Sequence, residues 1–475
     1  MVLGIGSLVD GIARTVEGVS DGVSEALFEP VIRLGVTGLS RAGKTVFITS
    51  LVANLMDRGR MPGLKAVSDN RIETAFLQPQ PNDTVPRFPF EAHLSQMTGP
   101  GPSWPEGTRA ISQLRLSLRV APSGMLSALK SPRTVHLDIV DYPGEWLLDL
   151  PLMNQSFMEW SEAALALAIS PARAKHAVEW LALIDKVDPD ATLDEPQAQA
   201  LATAFTEYLA KCREAGLSAC APGRFLMPGD LEGSPALTFC PLPSGKPPRR
   251  SLGREFDRRF EAYKRKIVTP FFRDHFARID RQIVLVDALG AIHAGPQAIE
   301  DLRGALADIL TCFKTGQNGM FSFLTGKSVE KILFAATKAD HLHHKQHPAL
   351  TSFMHALLRQ ARDRAEYSGA ATEALAIASL RATEEVDRVH EGQTLPMVKG
   401  MLAESGKPAL MYPGALPNDP ARLLKPSAEG AENWLDGDYS VMSFLPAEID
   451  LKPTEGPPHI RLDRAAEFLF GDRLA

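Results

Sequence analysis

The octapeptide Gly38-Leu-Ser-Arg-Ala-Gly-Lys-Thr45 constrains the fold of this chain more than any other part of its sequence. It matches G-x-x-x-x-G-K-[ST] at every fixed position, follows the apolar run Val31–Val36 and precedes a helical pattern over Thr45–Met56. In that context the backbone N–H groups of a glycine-rich turn and the N-terminus of a helix converge on phosphate groups. The sequence therefore predicts a phosphate-binding loop between a buried strand and the helix that follows it.

The last two residues of this loop, Lys44 and Thr45, have individual predicted roles. Lys44 reaches the β- and γ-phosphates and is a candidate catalytic residue, and Thr45 offers its hydroxyl to Mg²⁺. A glycine further along the chain, Gly144, completes the set because it can turn its N–H toward the γ-phosphate. The predicted phosphate-binding residues are Gly38, Ser40, Arg41, Ala42, Gly43, Lys44, Thr45, Val46 and Gly144.

A second motif, Asp141-Tyr-Pro-Gly144, comes at the end of the predicted strand Val135–Val140. A carboxylate at the end of a strand beside a phosphate-binding loop can hold the magnesium ion, so Asp141 is a candidate metal ligand. The next residue, Glu145, is a candidate to orient the attacking water. Its charge is unfavourable near the γ-phosphate unless a cation offsets it, which predicts slow intrinsic hydrolysis.

A third motif, Thr337-Lys338-Ala-Asp340, follows the apolar run Ile332–Ala336 and resembles [NT]-K-x-D. An aspartate carboxylate can accept from the ring N–H and the exocyclic amine of guanine, whereas adenine presents no such pair of donors. The motif therefore favours GTP over ATP. The predicted base-binding residues are Thr337, Lys338, Asp340, His341, Ser379 and Leu380.

The residue that senses the γ-phosphate is expected shortly before the second strand. Thr108 has that placement, which makes it a candidate metal ligand and catalytic residue, with Thr84 as the alternative. Arg109 or Arg87 could act as an arginine finger supplied by the same chain. The candidate residues of this first switch segment are Trp104, Thr108 and Arg109.

The rest of the chain sets the architecture. Strands are predicted at Ile111–Val120 and Val135–Val140 as an antiparallel pair, and again at Ile283–Asp287, Lys331–Thr337 and Ala374–Ser379. Helical patterns cover Asn154–Lys186, Asp194–Ala215 and Leu252–Ile279, whereas Pro62–Trp104 is predicted to be loop and insertion. The predicted fold class is α/β: a P-loop NTPase domain, with a mostly parallel sheet flanked by helices and a large helical insertion. The predicted division is an N-terminal helix at 1–30, a core at 31–146, the insertion at 147–280, the rest of the core at 281–391 and a C-terminal extension at 392–475.

Bulk properties limit the partners and the compartment. The net charge of −6 provides no field that would draw nucleic acid to the chain. Four cysteines in 475 residues are too few for a disulfide framework, and we expect a cytoplasmic protein. The helical spacing over Leu8–Leu27 predicts a helix that packs on the domain, with peripheral membrane contact as the alternative.

Taken together, the motifs resemble the YcjX-like (DUF463) family of bacterial Ras-like P-loop GTPases. The three motifs above carry the resemblance, and further matches extend it over nearly the whole chain, at Val85–Phe88, Gly295–Ala298 and Pro458–Asp463. The resemblance implies GDP and GTP as ligands, Mg²⁺, switching between nucleotide states and an association with the bacterial stress response. This chain has Thr337 where asparagine is commonest in the usual base-recognition motif, a change expected to weaken one hydrogen bond that braces the loop and to lower guanine affinity.

Two other functions remain open at this point. One is an ATP-driven enzyme that uses the same loop, and the other is a stress scaffold that holds nucleotide for stability without turnover. An unidentified protein partner is expected to bind the helical insertion. His343 and His347, spaced i,i+4, leave a zinc site as a further alternative.

Overall fold

A seven-stranded sheet with strand order β2-β3-β4-β1-β5-β6-β7 organises the molecule. The structure is a computed structural model, and it describes residues 29–38, 42–107, 110–123, 131–243, 247–311, 329–359, 370–390, 392–428 and 442–475. The strands are β1 Val31–Gly38, β2 Ile72–Gln78, β3 Ser112–Val120, β4 Arg133–Asp141, β5 Arg281–Val286, β6 Lys331–Ala336 and β7 Ala371–Ala376. Strands β4, β1, β5, β6 and β7 are parallel, and β2 and β3 add an antiparallel edge. The mostly parallel α/β sheet predicted from the sequence is confirmed.

Helices cover both faces of this sheet. Between the strands and after them, the α-helices are α1 Lys44–Met56, α2 Lys65–Ser68, α3 Phe90–Thr98, α4 Phe157–Ala168, α5 Ala174–Ile184, α6 Glu195–Glu214, α7 Gly223–Leu226, α8 Leu252–Tyr263, α9 Thr269–Asp274, α10 Ala288–Ala294, α11 Pro296–Thr311, α12 His347–Leu357, α13 Ala421–Ala428 and α14 Leu462–Phe470. A 3-10 segment, Gly144–Asn154, follows β4, and a π-helical turn, Lys264–Val268, joins α8 to α9.

The alternation of side chains along the central strands explains how both faces become buried. On β5, Ile283 and Leu285 pack into the apolar cluster on one face, and Val284 and Val286 pack into the cluster on the other. All six residues of β5 are buried, as expected for a parallel strand covered on both sides. Because β1, β4 and β6 run in the same direction, the three motifs that follow them lie at the same end of the sheet, where the strands have their carboxyl ends.

The segment between β4 and β5 is largely helical, as predicted. Its aromatic side chains form a packed group in which the Trp160 and Phe260 rings stack with centroids 5.0 Å apart. This group belongs to the same continuous apolar cluster as Val284 and Val286 of the sheet. The insertion and one face of the sheet therefore share a core.

The prediction of loop for Pro62–Trp104 is wrong. This stretch contains α2, the edge strand β2 and helix α3. Strand β2 pairs with β3 from Ile72 to Gln78, but most of its side chains are exposed or half-buried, so the segment lacks the alternation that marks a buried strand.

A second, three-stranded antiparallel sheet has the order β10-β9-β8, with β8 at Glu384–His390, β9 at Gln393–Met401 and β10 at Pro408–Met411. Strands β8 and β9, which pair with each other, lie on either side of residue 392, where the sequence suggested the start of a C-terminal extension. The N-terminal helix predicted over 1–30 lies outside the described residues except for Glu29 and Pro30, which are not helical. In the described part of the chain, no helix combines the length and apolarity needed to cross a membrane.

Candidate nucleotide-binding site

The phosphate-binding loop lies between β1 and α1, as its sequence predicts. Gly43 directly precedes α1 with φ of 80°, a left-handed conformation that favours glycine. The Lys44 ammonium folds back over the loop and donates to the Gly38 carbonyl at 3.0 Å. The loop thus presents a lysine and the N-terminus of a thirteen-residue helix at the same point. Ser40 and Arg41 lie outside the described residues.

The Asp141-Tyr-Pro-Gly144 motif packs directly against this loop. Because β1 and β4 are parallel neighbours, Val36 is in register with Asp141, and the two chain segments leave the sheet together. A Cβ atom added to Gly144 would lie 1.8 Å from the Gly38 carbonyl oxygen, so the two backbones touch and no side chain fits between them. Asp141 and Thr45 are both buried at this edge.

Glu145, the candidate to orient water, is buried at the start of the 3-10 segment. A Cβ atom added to Gly223 of the insertion would lie 1.8 Å from the Glu145 carbonyl oxygen. The next side chain, Trp146, donates to the Met227 carbonyl at 2.9 Å, and the Arg224 guanidinium lies 3.1 Å from the centroid of its ring. The insertion therefore holds the segment that follows Gly144.

The Thr337–Asp340 motif lies at the end of β6, two strands from the phosphate-binding loop. The Thr337 amide and hydroxyl both donate to the Val286 carbonyl, at 2.9 and 3.3 Å, so threonine ties the motif to the adjacent strand end. Lys338 has φ of 59°, and its ammonium forms an ion pair with Asp287, the N-terminal cap of α10.

Hydrogen bonds from the loop between β7 and β8 fix the position of Asp340. Its carboxylate accepts from the Ala382 amide at 2.9 Å, and its carbonyl accepts from the Thr383 hydroxyl. The His341 ring meets the Phe444 ring edge-on, with centroids 5.3 Å apart. Burial lowers the pKa of His341, which keeps this imidazole neutral at pH 7.

The first switch segment is described only in part. Trp104 is held by a hydrogen bond from its indole N–H to the Phe444 carbonyl at 2.6 Å. Thr108 and Arg109 lie outside the described residues. Thr84 and Arg87, the alternatives to Thr108 and Arg109, form hydrogen bonds with neighbouring residues. The Thr84 hydroxyl donates to Asn82 at 2.7 Å, and Arg87 forms two 2.7 Å hydrogen bonds with Glu91.

One cavity of about 540 Å³ joins the phosphate-binding loop to the Thr337–Asp340 motif, whereas Asp141, Gly144 and Glu145 are not among its lining residues. A volume of this order is typical of sites for small ligands and cofactors. Its wall contains the phosphate-binding loop (the phosphate loop), the Thr337–Asp340 motif (the base motif) and Ser379 and Leu380, which follow the end of β7 at Ala376. The lining residues are Ala42, Gly43, Lys44, Thr45, Val46, Trp104, Pro105, Glu106, Gly107, Arg213, Glu214, Met227, Thr337, Lys338, Asp340, His341, Ala378, Ser379, Leu380, Ala403, Ser443 and Phe444.

Comparison with known proteins supports the resemblance seen in the sequence. The profile of the YcjX-like family, DUF463, matches residues 32–474. The chain belongs to the YcjX-like family. It is 39% identical over 457 residues to the Ras-like GTPase YcjX of Escherichia coli, covering 93% of this chain and 96% of the relative. It is 32% identical over 471 residues to the Ras-like GTPase YcjX of Shewanella oneidensis, covering 93% and 94%. These names support a GTPase-like function at the level of the family.

In this YcjX-like chain, a C-terminal segment braces the base motif, a role that sequence reasoning missed. Arg461 donates to His347 Nδ1 at 3.1 Å and to the Ala376 carbonyl at 3.0 Å. His347 Nε2 in turn donates to the carbonyls of Ala339 and Leu342, at 2.8 and 3.1 Å. The signal in the sequence was the family motif at Pro458–Asp463, which has no part in a generic GTPase site.

These hydrogen bonds also bear on the zinc alternative. His347 uses both ring nitrogens within the chain, so it does not pair with His343 around a metal ion. His343, His344 and Glu385 place possible ligand atoms within 4.8 Å of one another. However, His343 Nδ1 accepts from the Lys345 amide at 3.4 Å, and a ligating imidazole normally donates from its second nitrogen.

The helical insertion contributes residues that no motif indicated. Arg213 and Glu214, at the end of α6, and Met227, after α7, line the same cavity as Lys44 and Asp340. A second cavity of about 820 Å³ adjoins it and shares Arg213, Glu214, Lys338, His341 and Ser443 as lining residues. The buried Glu145 lines this second cavity.

Proposed function

We propose that this protein binds guanine nucleotides, hydrolyses GTP slowly and acts as a Mg²⁺-dependent switch between its GDP and GTP forms. The observation that carries the proposal is the single cavity whose wall joins Lys44 and Thr45 to Lys338 and Asp340. Phosphate recognition and guanine recognition thereby fall within reach of one ligand. The role of the switch in the bacterial stress response is part of the proposal and follows from the family resemblance.

The chemistry of the donor set suits magnesium. Thr45 offers a hydroxyl and Asp141 a carboxylate, both hard oxygen donors, and both are buried at the edge where Gly144 touches the phosphate loop. When bound, Mg²⁺ would neutralise charge on the β- and γ-phosphates. Thr108 is the further ligand expected from the sequence.

The proposal of slow hydrolysis rests on Glu145. This residue supplies a carboxylate where water-orienting residues of Ras-like enzymes stand, and a second negative charge near the γ-phosphate opposes attack by water. Single-turnover measurement of GTP cleavage by the purified protein tests this rate. Fast cleavage without a partner would contradict it.

Base specificity is tested with Asp340→Asn. Asparagine retains an oxygen for the Ala382 amide and presents an N–H₂ donor where guanine requires an acceptor. We expect affinity for GTP to fall by about 10-fold or more and affinity for xanthosine triphosphate, whose ring offers a carbonyl at that position, to rise. Competition binding against a fluorescent nucleotide measures both changes.

Asp287→Asn is the matched control. It removes a carboxylate that contacts Lys338 but lines only the second cavity, so it is expected to create no preference for xanthine. If Asp340→Asn leaves GTP binding unchanged while ATP competes equally with GTP, the guanine proposal is wrong and the ATP-dependent alternative is favoured. If nucleotide stays bound without turnover, the protein is a nucleotide-stabilised scaffold.

The proposal also places a protein partner on the helical insertion. Its first two helices carry large apolar side chains that remain exposed, including Met158, Leu167, Val178 and Leu183, and Ile169 lies directly after α4. Pull-down experiments with the GDP-bound and GTP-analogue-bound protein test whether capture depends on the nucleotide. Equal capture of the same proteins in both states would contradict a switch that acts through this surface.

A further inference from the structure

The end of helix α6 brings a cation from the insertion to the nucleotide cavity. Arg213 lies in the last turn of α6 and lines both the 540 Å³ cavity and its larger neighbour. Its side chain is half-buried, and Nη1 is enclosed without a hydrogen-bond acceptor among the described residues. A guanidinium has only donors, so an enclosed N–H without an acceptor is unfavourable until a ligand supplies one.

The other cations of this wall already have partners. Lys44 donates to the Gly38 carbonyl, and Lys338 is paired with Asp287. Arg213 forms no ion pair with a carboxylate in the described part of the chain, although Glu214, which is exposed, lines the same cavity. The favourable interaction of an arginine with the C-terminal end of its helix is a structural alternative, but it leaves the enclosed Nη1 unsatisfied.

The surroundings hold Arg213 in place. After α6, Gly216 turns the chain with φ of 85°, and the amides of Ser218 and Ala219 both donate to the Asp301 carboxylate of the core helix α11. Arg173, which is buried, donates to the same carboxylate. Asp301 therefore ties the turn after Arg213 to the sheet side of the molecule.

We propose that Arg213 binds the phosphate chain of the nucleotide, so that the insertion supplies a phosphate ligand in addition to those of the phosphate loop. The inference rests on the proposed binding of guanine nucleotide. The phosphate chain is the anionic part of that ligand. Charge-assisted hydrogen bonds from arginine to phosphate are stronger than hydrogen bonds between neutral groups.

The test compares affinities of full-length wild type and Arg213→Ala for guanosine, GMP, GDP and a non-hydrolysable GTP analogue. We expect the loss to grow with the number of phosphates, reaching about 10- to 100-fold for the GTP analogue, with guanosine unaffected. Arg213→Lys, which keeps the charge, is expected to recover part of the loss. Lys211→Ala is the matched control, because it removes a charge from the same helical turn, where Lys211 pairs with the exposed Glu179.

Three outcomes overturn the inference. Wild-type affinities for all four ligands in Arg213→Ala mean that Arg213 does not contact the phosphates, and the proposed function stands. An equal loss for guanosine and the GTP analogue assigns Arg213 to the shape of the cavity instead. Absence of guanine-nucleotide binding by the wild type contradicts the proposed function as well. Thermal unfolding without nucleotide checks the fold of each variant, and Arg213→Gln replaces alanine if that variant is unstable.

Discussion

At the scale of single residues, Asp149 couples the segment after Gly144 to the insertion. Its carboxylate accepts from the Gly223 amide and from the Tyr263 hydroxyl, each at 2.7 Å. Burial raises the pKa of Asp149 to about 6, despite these hydrogen bonds and the nearby Arg224. This carboxyl group therefore titrates close to neutral pH within the element that begins at Gly144.

This shift predicts a pH-dependent stability. The pKa of Asp149 is higher in the folded state than its ordinary value of 3.8, so the folded state binds the proton more tightly, and stability rises as pH falls through about 6 toward 4. Asp149→Asn lacks this titration. We expect the wild type to gain on the order of 1 kcal/mol relative to Asp149→Asn between pH 7.5 and pH 5.

Urea unfolding of both proteins at the two pH values measures that difference. Subtracting the free energy of unfolding of the variant from that of the wild type at each pH removes the contributions of the buried histidines, which titrate in both proteins. A difference between the two proteins that is independent of pH would show that Asp149 is already ionised at pH 5.

At the scale of elements, the C-terminal segment around Arg461 reaches the base motif through His347. Arg461→Ala removes the hydrogen bonds to His347 Nδ1 and the Ala376 carbonyl, which position the Ala339 carbonyl and the end of β7. We expect a 3- to 10-fold loss of affinity that is the same for GMP, GDP and GTP, because the loss concerns the base and not the phosphates.

Isothermal titration of the three nucleotides measures this pattern. Arg464→Ala is the control, since Arg464 is exposed in the same segment and its side chain makes no contact with the base motif. A loss that increases with the number of phosphates would contradict the role of Arg461 as a support for base binding.

The elements that could be predicted from sequence are those with a strong hydrophobic pattern or a motif at their ends. Strands β1, β4, β5 and β6 are rich in apolar residues because both of their faces are largely buried, and motifs follow β1, β4 and β6. Strand β2 was missed because its partner strand, and not its own pattern, decides its conformation.

The site was predictable only where its residues are adjacent in sequence. Lys44, Asp141, Gly144 and Asp340 belong to short motifs whose spacing is fixed by the turn that each forms. Arg213 and Phe444 reach the cavity through the packing of distant elements, and a helix end or a loop without a motif gives no local sign of that contact.

At the scale of the whole molecule, the cavity wall is assembled from the core, the insertion and the segment before α14. The insertion shares its apolar cluster with one face of the sheet, so nucleotide bound in the cavity contacts elements that already form one packed body. We therefore expect GDP to slow hydrogen exchange in all of the walls together: 42–46, 104–107, 213–227, 337–341, 378–380, 403 and 443–444.

Hydrogen exchange with mass spectrometry, with and without saturating GDP, measures this protection, and ADP at the same concentration is the control. Binding to the folded state alone adds about 2.7 kcal/mol at a hundredfold excess over Kd, and elements that line the cavity gain protection from it. If peptides from 213–227 exchange at the same rate in both states, the insertion does not enclose the nucleotide.

The hydrogen bonds from Arg461 have a consequence for biosynthesis. Domains tend to fold from the N-terminal side while synthesis proceeds, and the phosphate loop leaves the ribosome more than four hundred residues before Arg461. Helix α14 follows Arg461 in the chain and is also synthesised after the phosphate loop. Its Leu462, Ala466 and Leu469 belong to the same apolar cluster as Leu34 and Val36 of β1. A nascent chain therefore has its phosphate motif long before the proposed guanine pocket is braced, and we expect tight capture of GTP only after Arg461 has emerged.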